Sequence, residues 1–148
     1  MKPIAVGSDE AGAGLRRAIA AHLRALGHEV ADFGVDDDSL AYPSVAFDVA
    51  ERVAGGLHER AILCCGTGIG MAIAANKVMG VYAANCHDVY SAQRARKSNN
   101  AQVLTLGERV VGKELALVIV DAWLESEFEA GGSAAKVEEI SRREQQQP

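Results

Sequence analysis

The residues best suited to chemistry stand in one run, Cys64-Cys65-Gly66-Thr67-Gly68-Ile69-Gly70. It places a thiol at the end of an apolar stretch, followed by a glycine-rich turn that opens a helix. Glycines let backbone amides converge and the helix dipole adds positive potential, so the turn suits an oxyanion or a phosphate. The same field favours a thiolate, which makes Cys65 a candidate base or nucleophile. Cys64, one residue deeper, reads as a small buried hydrophobe. Asp9, after Gly7-Ser8, serves equally as a hydroxyl-orienting carboxylate and as a helix cap. His87-Asp88 offers a proton-transfer pair, although Asp88 also suits the first turn of a helix. The spacing Gly66-x-Gly68-x-Gly70 is not a dinucleotide fingerprint and lacks the Lys-Ser/Thr ending of a nucleotide P-loop. His22, His28 and His58 read as surface positions, and Arg94-Ala95-Arg96-Lys97 as a helix end countering its dipole.

These residues need elements to position them. Pro3–Val6 reads as a strand, and Leu15, Ile19, Leu23 and Leu26 then recur at helical spacing up to Gly27. His28–Phe33 is a second strand, Val35–Leu40 with its three aspartates a solvated loop, and Tyr42-Pro43 starts a helix that Gly55-Gly56 stops. Ala61–Cys65 has the continuous apolar character of a buried parallel strand. Helix Met71–Lys77, strand Val81–Cys86, helix Asp88–Lys97, strand Val103–Leu106 and helix Gly112–Phe128 continue the alternation. The segment Ala134–Gln146 carries only Val137 and Ile140 as a narrow apolar stripe and needs a partner surface. Five strands alternating with helices predict a doubly wound α/β sheet, covered on both faces. Its ligand crevice lies beyond the strands' carboxyl ends, where Asp9, Gly66 to Gly70, His87 and Gly107 are expected.

The chain has 148 residues, one domain's worth, with 49% hydrophobic and 24% charged residues. Its net charge of -5 argues against a dedicated nucleic-acid or anionic-membrane binder. Aromatic residues make up only 5%, too few for stacking platforms. Cys64, Cys65 and Cys86 form neither an even set nor a zinc spacing, which fits a reducing cytosol and no metal. The amino terminus lacks a signal-peptide pattern, and no apolar stretch reaches membrane-span length.

Taken in order, Gly7-Ser8-Asp9-x-Ala11-Gly12, Tyr42-Pro43, Cys65-Gly66-Thr67-Gly68-Ile69-Gly70-Met71, Ile73-Ala74-Ala75-Asn76-Lys77, Ser91-Ala92, Asn99 and Leu106-Gly107-x-Arg109-x-x-Gly112 closely resemble the type B ribose-5-phosphate isomerase family. The resemblance spans nearly the whole chain. It implies a Rossmann-like three-layer αβα fold in one domain, 1–148, with a carboxyl-terminal extension from about residue 129 packing across a homodimer, possibly a tetramer. It further implies sites between subunits, no cofactor, and aldose-ketose isomerisation of sugar phosphates. Carried over by residue, Cys65 resembles the base that moves a proton between C1 and C2 through a cis-enediol, with Thr67 and Asn99 as catalytic companions. Asp9, Glu10, Tyr42, Gly66, Gly68, Ile69, Gly70, Ser98, Arg109 and Lys136 form the implied substrate-binding set, with Arg109 on the phosphate. Met71 fills a place where some relatives carry a glutamate base.

The sequence departs from the family pattern at three places. Glu10 and Ser98 stand where histidine is usual, and Ser133-Ala134 follows Gly131-Gly132 where an arginine-histidine pair is expected, leaving Lys136 of a basic cluster. The family's histidine at the place of Ser98 helps open a furanose ring, a proton transfer that serine performs poorly. A tetrose 4-phosphate such as D-erythrulose 4-phosphate cannot close that ring, so it competes with a pentose 5-phosphate as the substrate. A third reading is a non-catalytic subunit that binds sugar phosphate or stabilises a partner isomerase.

Overall fold

A computed structural model describes residues 1–148. The elements run β1 (Ile4–Ser8), α1 (Ala13–Ala25), β2 (Val30–Asp32), α2 (Tyr42–Ala54), β3 (Ala61–Cys65), α3 (Ile69–Ala75), β4 (Ala83–Asn85), α4 (Val89–Lys97), β5 (Val103–Gly107), α5 (Lys113–Glu125) and α6 (Ala134–Gln145), with 3-10 turns at Glu10–Gly12 and Gly131–Ser133. All five strands are parallel, in the order β2-β1-β3-β5-β4. This is the Rossmann-like α/β architecture, and the winding reverses between β1 and β3. The loops after those strands therefore part at their carboxyl ends and leave a crevice.

Strand alternation sorts the core into two apolar clusters. Ile62 and Cys64 of β3 join Leu15, Ile19 and Leu23 of α1, Ala92 of α4 and Ile119 and Trp123 of α5. Ala61, Leu63 and Cys65 turn the other way, onto Val45 and Val49 of α2 and Met71 and Ala75 of α3. One sheet face thus carries three helices and the other two. On the two-helix side Ile69, Ile73 and Phe47 remain 54%, 58% and 39% exposed. Helix α6 buries no residue and touches its own chain through Glu144 Oε1, which accepts from the Gly80 amide at 2.6 Å.

The edge strands are shorter than their sequence patterns predict, because β2 and β4 each have one pairing neighbour. Central β1 instead extends to Ser8, held by β3 along that side. Helix α5 stops at Glu125, where Ser126 turns extended. One surface expectation is corrected: His58 is buried, its Nδ1 bonded to the Pro3 carbonyl at 2.8 Å. Arg94, Arg96 and Lys97 do form the last turn of α4, with Arg96 itself buried. His22 is part-buried and pairs with Asp121 at 2.7 Å, tying α1 to α5.

Candidate active site

Cys65 is the last residue of β3, and the strand's two-residue period carries its side chain to the α2/α3 face while Cys64 points beneath α1. The two adjacent thiols therefore meet different surroundings. Burial pushes the Cys64 thiol far up, and the Glu108 carboxylate adds to the effect. Cys65 lines a cleft of about 450 Å³ together with Asp9, Tyr42, Gly66, Thr67, Gly70 and Arg109. At Gly68 the backbone takes φ of 80°, a conformation that side chains disfavour, and the loop folds back so that the Gly68 amide donates to Cys65 Sγ at 3.0 Å. A donor aimed at sulfur stabilises negative charge there. The turn is buttressed by Thr105, whose hydroxyl donates to the Gly68 carbonyl at 2.8 Å, and by the Ile69 amide, which donates to Thr67 Oγ1 at 3.2 Å. Gly70 admits the Tyr42 ring, since a Cβ at that position would lie 2.3 Å from it.

The opposite wall comes from the loops after β1, β2 and β5. Asp9 caps the turn that follows β1, with Oδ1 accepting from the Gly12 amide at 3.1 Å, and it also lines the cleft. Beyond it the cleft widens into a cavity of about 570 Å³ bordered by Glu10, Asp38, Leu40, Tyr42, Glu108 and Arg109. Arg109 is the one cation lining either part, and its guanidinium makes no ion pair or hydrogen bond within the chain. It stands over Gly66, where a Cβ would be 3.2 Å from Nη1. An uncommitted fork of donors above a glycine turn can receive an anion.

The wall is held from behind by Arg16, which the sequence did not single out. It is 3% exposed and donates to Ser8 Oγ at 2.6 Å, the Val35 carbonyl at 2.8 Å and Asp36 Oδ1 at 2.5 Å, with Asp32 at 3.2 Å from Nε. One guanidinium thus ties the loop bearing Asp9 to the loop bearing Asp38 and Leu40. Glu108, also missed, accepts from the Leu15 amide at 2.6 Å and anchors the Arg109 loop to α1.

His87-Asp88 is not a proton-transfer pair here. His87 Nε2 accepts from the Gly107 amide at 2.9 Å, which fixes a neutral ring, and Asp88 caps α4 through the Ser91 amide at 2.7 Å. Burial lowers the His87 pKa, with the Asp88 charge opposing.

Ser98, Asn99 and Lys136 are not brought to Cys65 within one chain. Ser98 and Asn99 follow α4 and lead into the start of β5, where Val103 pairs with Ala61, the far end of the strand that terminates at Cys65. Four residue steps of strand separate those ends, about 13 Å. Ser98 Oγ accepts from the Arg94 guanidinium. Lys136 sits on α6, bordering a shallow surface hollow with Glu139, Ile140 and Arg143. No three His, Cys, Asp or Glu side chains converge on a metal-binding arrangement, and no helix is long and apolar enough to cross a membrane.

Comparison with known proteins gives a consistent answer. The family described as Ribose/Galactose Isomerase matches residues 4–140. D-erythrulose-4-phosphate isomerase of Pectobacterium atrosepticum is 54% identical, over 99% of this chain and 98% of its own. Ribose-5-phosphate isomerase B of Escherichia coli is 48% identical, with 98% of each chain covered. The solved structure of Ribose-5-Phosphate Isomerase B from Clostridium thermocellum superposes with a TM-score of 0.94 at 48% identity, again covering 98% of both chains.

Proposed function

The chain belongs to the type B ribose-5-phosphate isomerase family and is a sugar-phosphate aldose-ketose isomerase, and from that premise we propose that Cys65 is the base that carries the proton between C1 and C2. The observation that carries this reading is the Gly68 amide on Cys65 Sγ, at the floor of a cleft whose one cation, Arg109, has no partner in the chain. A thiolate at Sγ removes the proton from the carbon beside the carbonyl and returns it to the neighbouring carbon, while the hydroxyl proton passes between the two oxygens of the enediol. The cis-enediolate between those steps is stabilised by donors of the Gly66–Gly70 turn, with Thr67 beside them. Asp9 and Tyr42 hold the substrate hydroxyls, and Arg109 takes the phosphate, the end of the ligand that the surrounding carboxylates of Glu10, Asp38 and Glu108 would otherwise repel.

The catalytic unit in this reading is a homodimer. Asn99, Ser98 and Lys136 lie too far from their own Cys65 to serve it, and a second chain seated on the exposed two-helix face brings them to the cleft. The exposed Ile69 and Ile73 at the cleft's rim and the unburied stripe of α6 support that assembly.

On substrate, a terminally phosphorylated tetrose such as D-erythrulose 4-phosphate is favoured over ribose 5-phosphate by one observation. Ser98 is occupied by Arg94 and offers no titratable group for ring opening. The test is a coupled isomerase assay over four-, five- and six-carbon sugar phosphates on the wild type and Ser98→His. The tetrose phosphate is expected to give the highest kcat/KM, and the variant to improve ribose 5-phosphate selectively. General acid-base ring opening is worth about 10²–10⁴-fold, which bounds the gain. Wild-type turnover of ribose 5-phosphate above that of every acyclic substrate would overturn the assignment.

A further inference from the structure

At the amino edge of the sheet, the end away from Cys65, lies a cavity of about 390 Å³ whose polar lining includes Lys2, His58, Arg60, Arg96, Asn100 and Glu127. Two of these are guanidiniums taken out of water, Arg60 at 5% and Arg96 at 6% exposed. Arg60 is largely committed: the carbonyls of Trp123, Leu124 and Ser126 accept from it at 3.3, 3.2 and 3.0 Å, which caps the end of α5, and Glu127 Oε1 accepts at 3.0 Å. Arg96 is not. Its Nη1 donates to Asn100 Oδ1 at 3.2 Å and to the Ala101 carbonyl at 3.0 Å, but its Nε has no acceptor. Its Nη2 has only Glu127 Oε2 at 3.9 Å, beyond hydrogen-bond range.

Burial lowers the Arg96 pKa to about 10, the like charge of Arg60 adds to this, and Glu127 opposes it. The one carboxylate within ion-pair reach of both cations has a side chain 79% exposed, so water screens it. Desolvated cations with so weak a counter-charge are costly unless an anion joins them. Lys2, Arg60 and Arg96 line the cavity against the carboxylates of Glu127 and Glu59, so positive charge is in excess and an anion with several oxygens is favoured there. The planar fork of arginine matches a phosphoryl group in that role.

We propose that this amino-edge cavity is a phosphoryl-binding site, in which a phosphate dianion takes the place of the exposed Glu127 carboxylate, beside Arg96 Nη2 and Arg60 Nη2. The inference stands independently of the isomerase chemistry at Cys65. The phosphoryl group comes either from inorganic phosphate or from the esterified end of a sugar phosphate, and both present the same oxygens to Arg96.

Titration of the full-length protein with inorganic phosphate, followed by calorimetry and by the His58 ring resonances, tests it. The His58 signals are expected to shift in the wild type and in Arg109→Ala, and to stay still in Arg96→Gln. Glu127→Gln, checked for folding by thermal unfolding, removes the internal competitor and should tighten phosphate binding by about tenfold or more, the scale of one charge-assisted hydrogen bond. Ribose 5-phosphate in a parallel titration identifies the source: a tighter His58 response than to the free ion assigns the ester, and a weaker one the free ion. Unchanged affinity in Glu127→Gln, or a His58 response abolished by Arg109→Ala, overturns the proposal, and the Glu127→Gln arm decides alone if Arg96→Gln does not fold.

Discussion

Serine at position 65 would still accept the Gly68 amide but would stay un-ionised at neutral pH. Cys65→Ser is therefore expected to lower kcat by about 10²–10⁴-fold, the range of a lost general base, while substrate binding persists. Cys64→Ser places a hydroxyl in a fully buried apolar site. It should cost about 1–3 kcal/mol of stability and leave kcat near wild type. Steady-state kinetics beside thermal unfolding separates the two, and equal losses of kcat would reject Cys65 as the base. His87 gives a pH signature. Its pKa in the folded chain lies below the ordinary 6.5, so the stability it contributes is complete above that pH and is lost as pH falls through the window beneath it. Protonation also removes the acceptor for the Gly107 amide at the root of the Arg109 loop. The wild-type Tm should drop from pH 7 to pH 5 more steeply than that of His87→Gln, and parallel curves would rule the linkage out. Cys65 and Asp9 were legible in the sequence because strand ends in alternating α/β chains point at one crevice. Arg16, Arg60, Arg96 and His58 were not, because a charged residue reads as solvated until distant acceptors are known. Arg60's are carbonyls 63 to 66 positions away.

Among the elements, the existence of the five strands followed from apolar runs between turn residues, and Ala61–Cys65 matches its expected span to the residue. The edge strands did not, since pairing on one side only is a property of sheet order. The loop after β2 is the solvated, aspartate-rich connection its sequence suggests, with residues 36–40 exposed. What the sequence did not show is that exposed Asp36 also accepts from Arg16 and Arg17, whose hydrogen bonds hold its carboxyl below the usual range. Arg16 thereby clamps two cleft walls. Arg16→Met should raise KM about tenfold with a smaller change in kcat, as expected when positioning rather than chemistry is disturbed. It should also cost about 1–3 kcal/mol, less than a fully buried pair because Asp36 is exposed. Arg16→Lys should recover part of the KM. A fall in kcat at constant KM would contradict the clamp.

For the whole molecule, the decisive geometry is that Asn99 and Cys65 lie at opposite ends of the same sheet. If each cleft is completed by a second chain, Cys65→Ser and Asn99→Ala homodimers, each nearly inactive, should regain activity when unfolded and refolded together. Random assortment caps the recovery at about a quarter of the wild-type rate, because half the dimers are hybrids and each hybrid holds one intact site. Truncation after Gly132 should weaken dimerisation in sedimentation, and a wild-type monomer at micromolar concentration would defeat the assembly. The strand period that turns neighbouring thiols to opposite faces has a further use in this setting. Cys64 is sealed beneath α1, and burial pushes Cys86 up to about 11 with the Asp88 charge adding to it, so both resist alkylation. Iodoacetamide at neutral pH then becomes an active-site titrant: one equivalent per chain, blocked by substrate, with the slope of lost turnover against label counting how many clefts each assembly keeps in use.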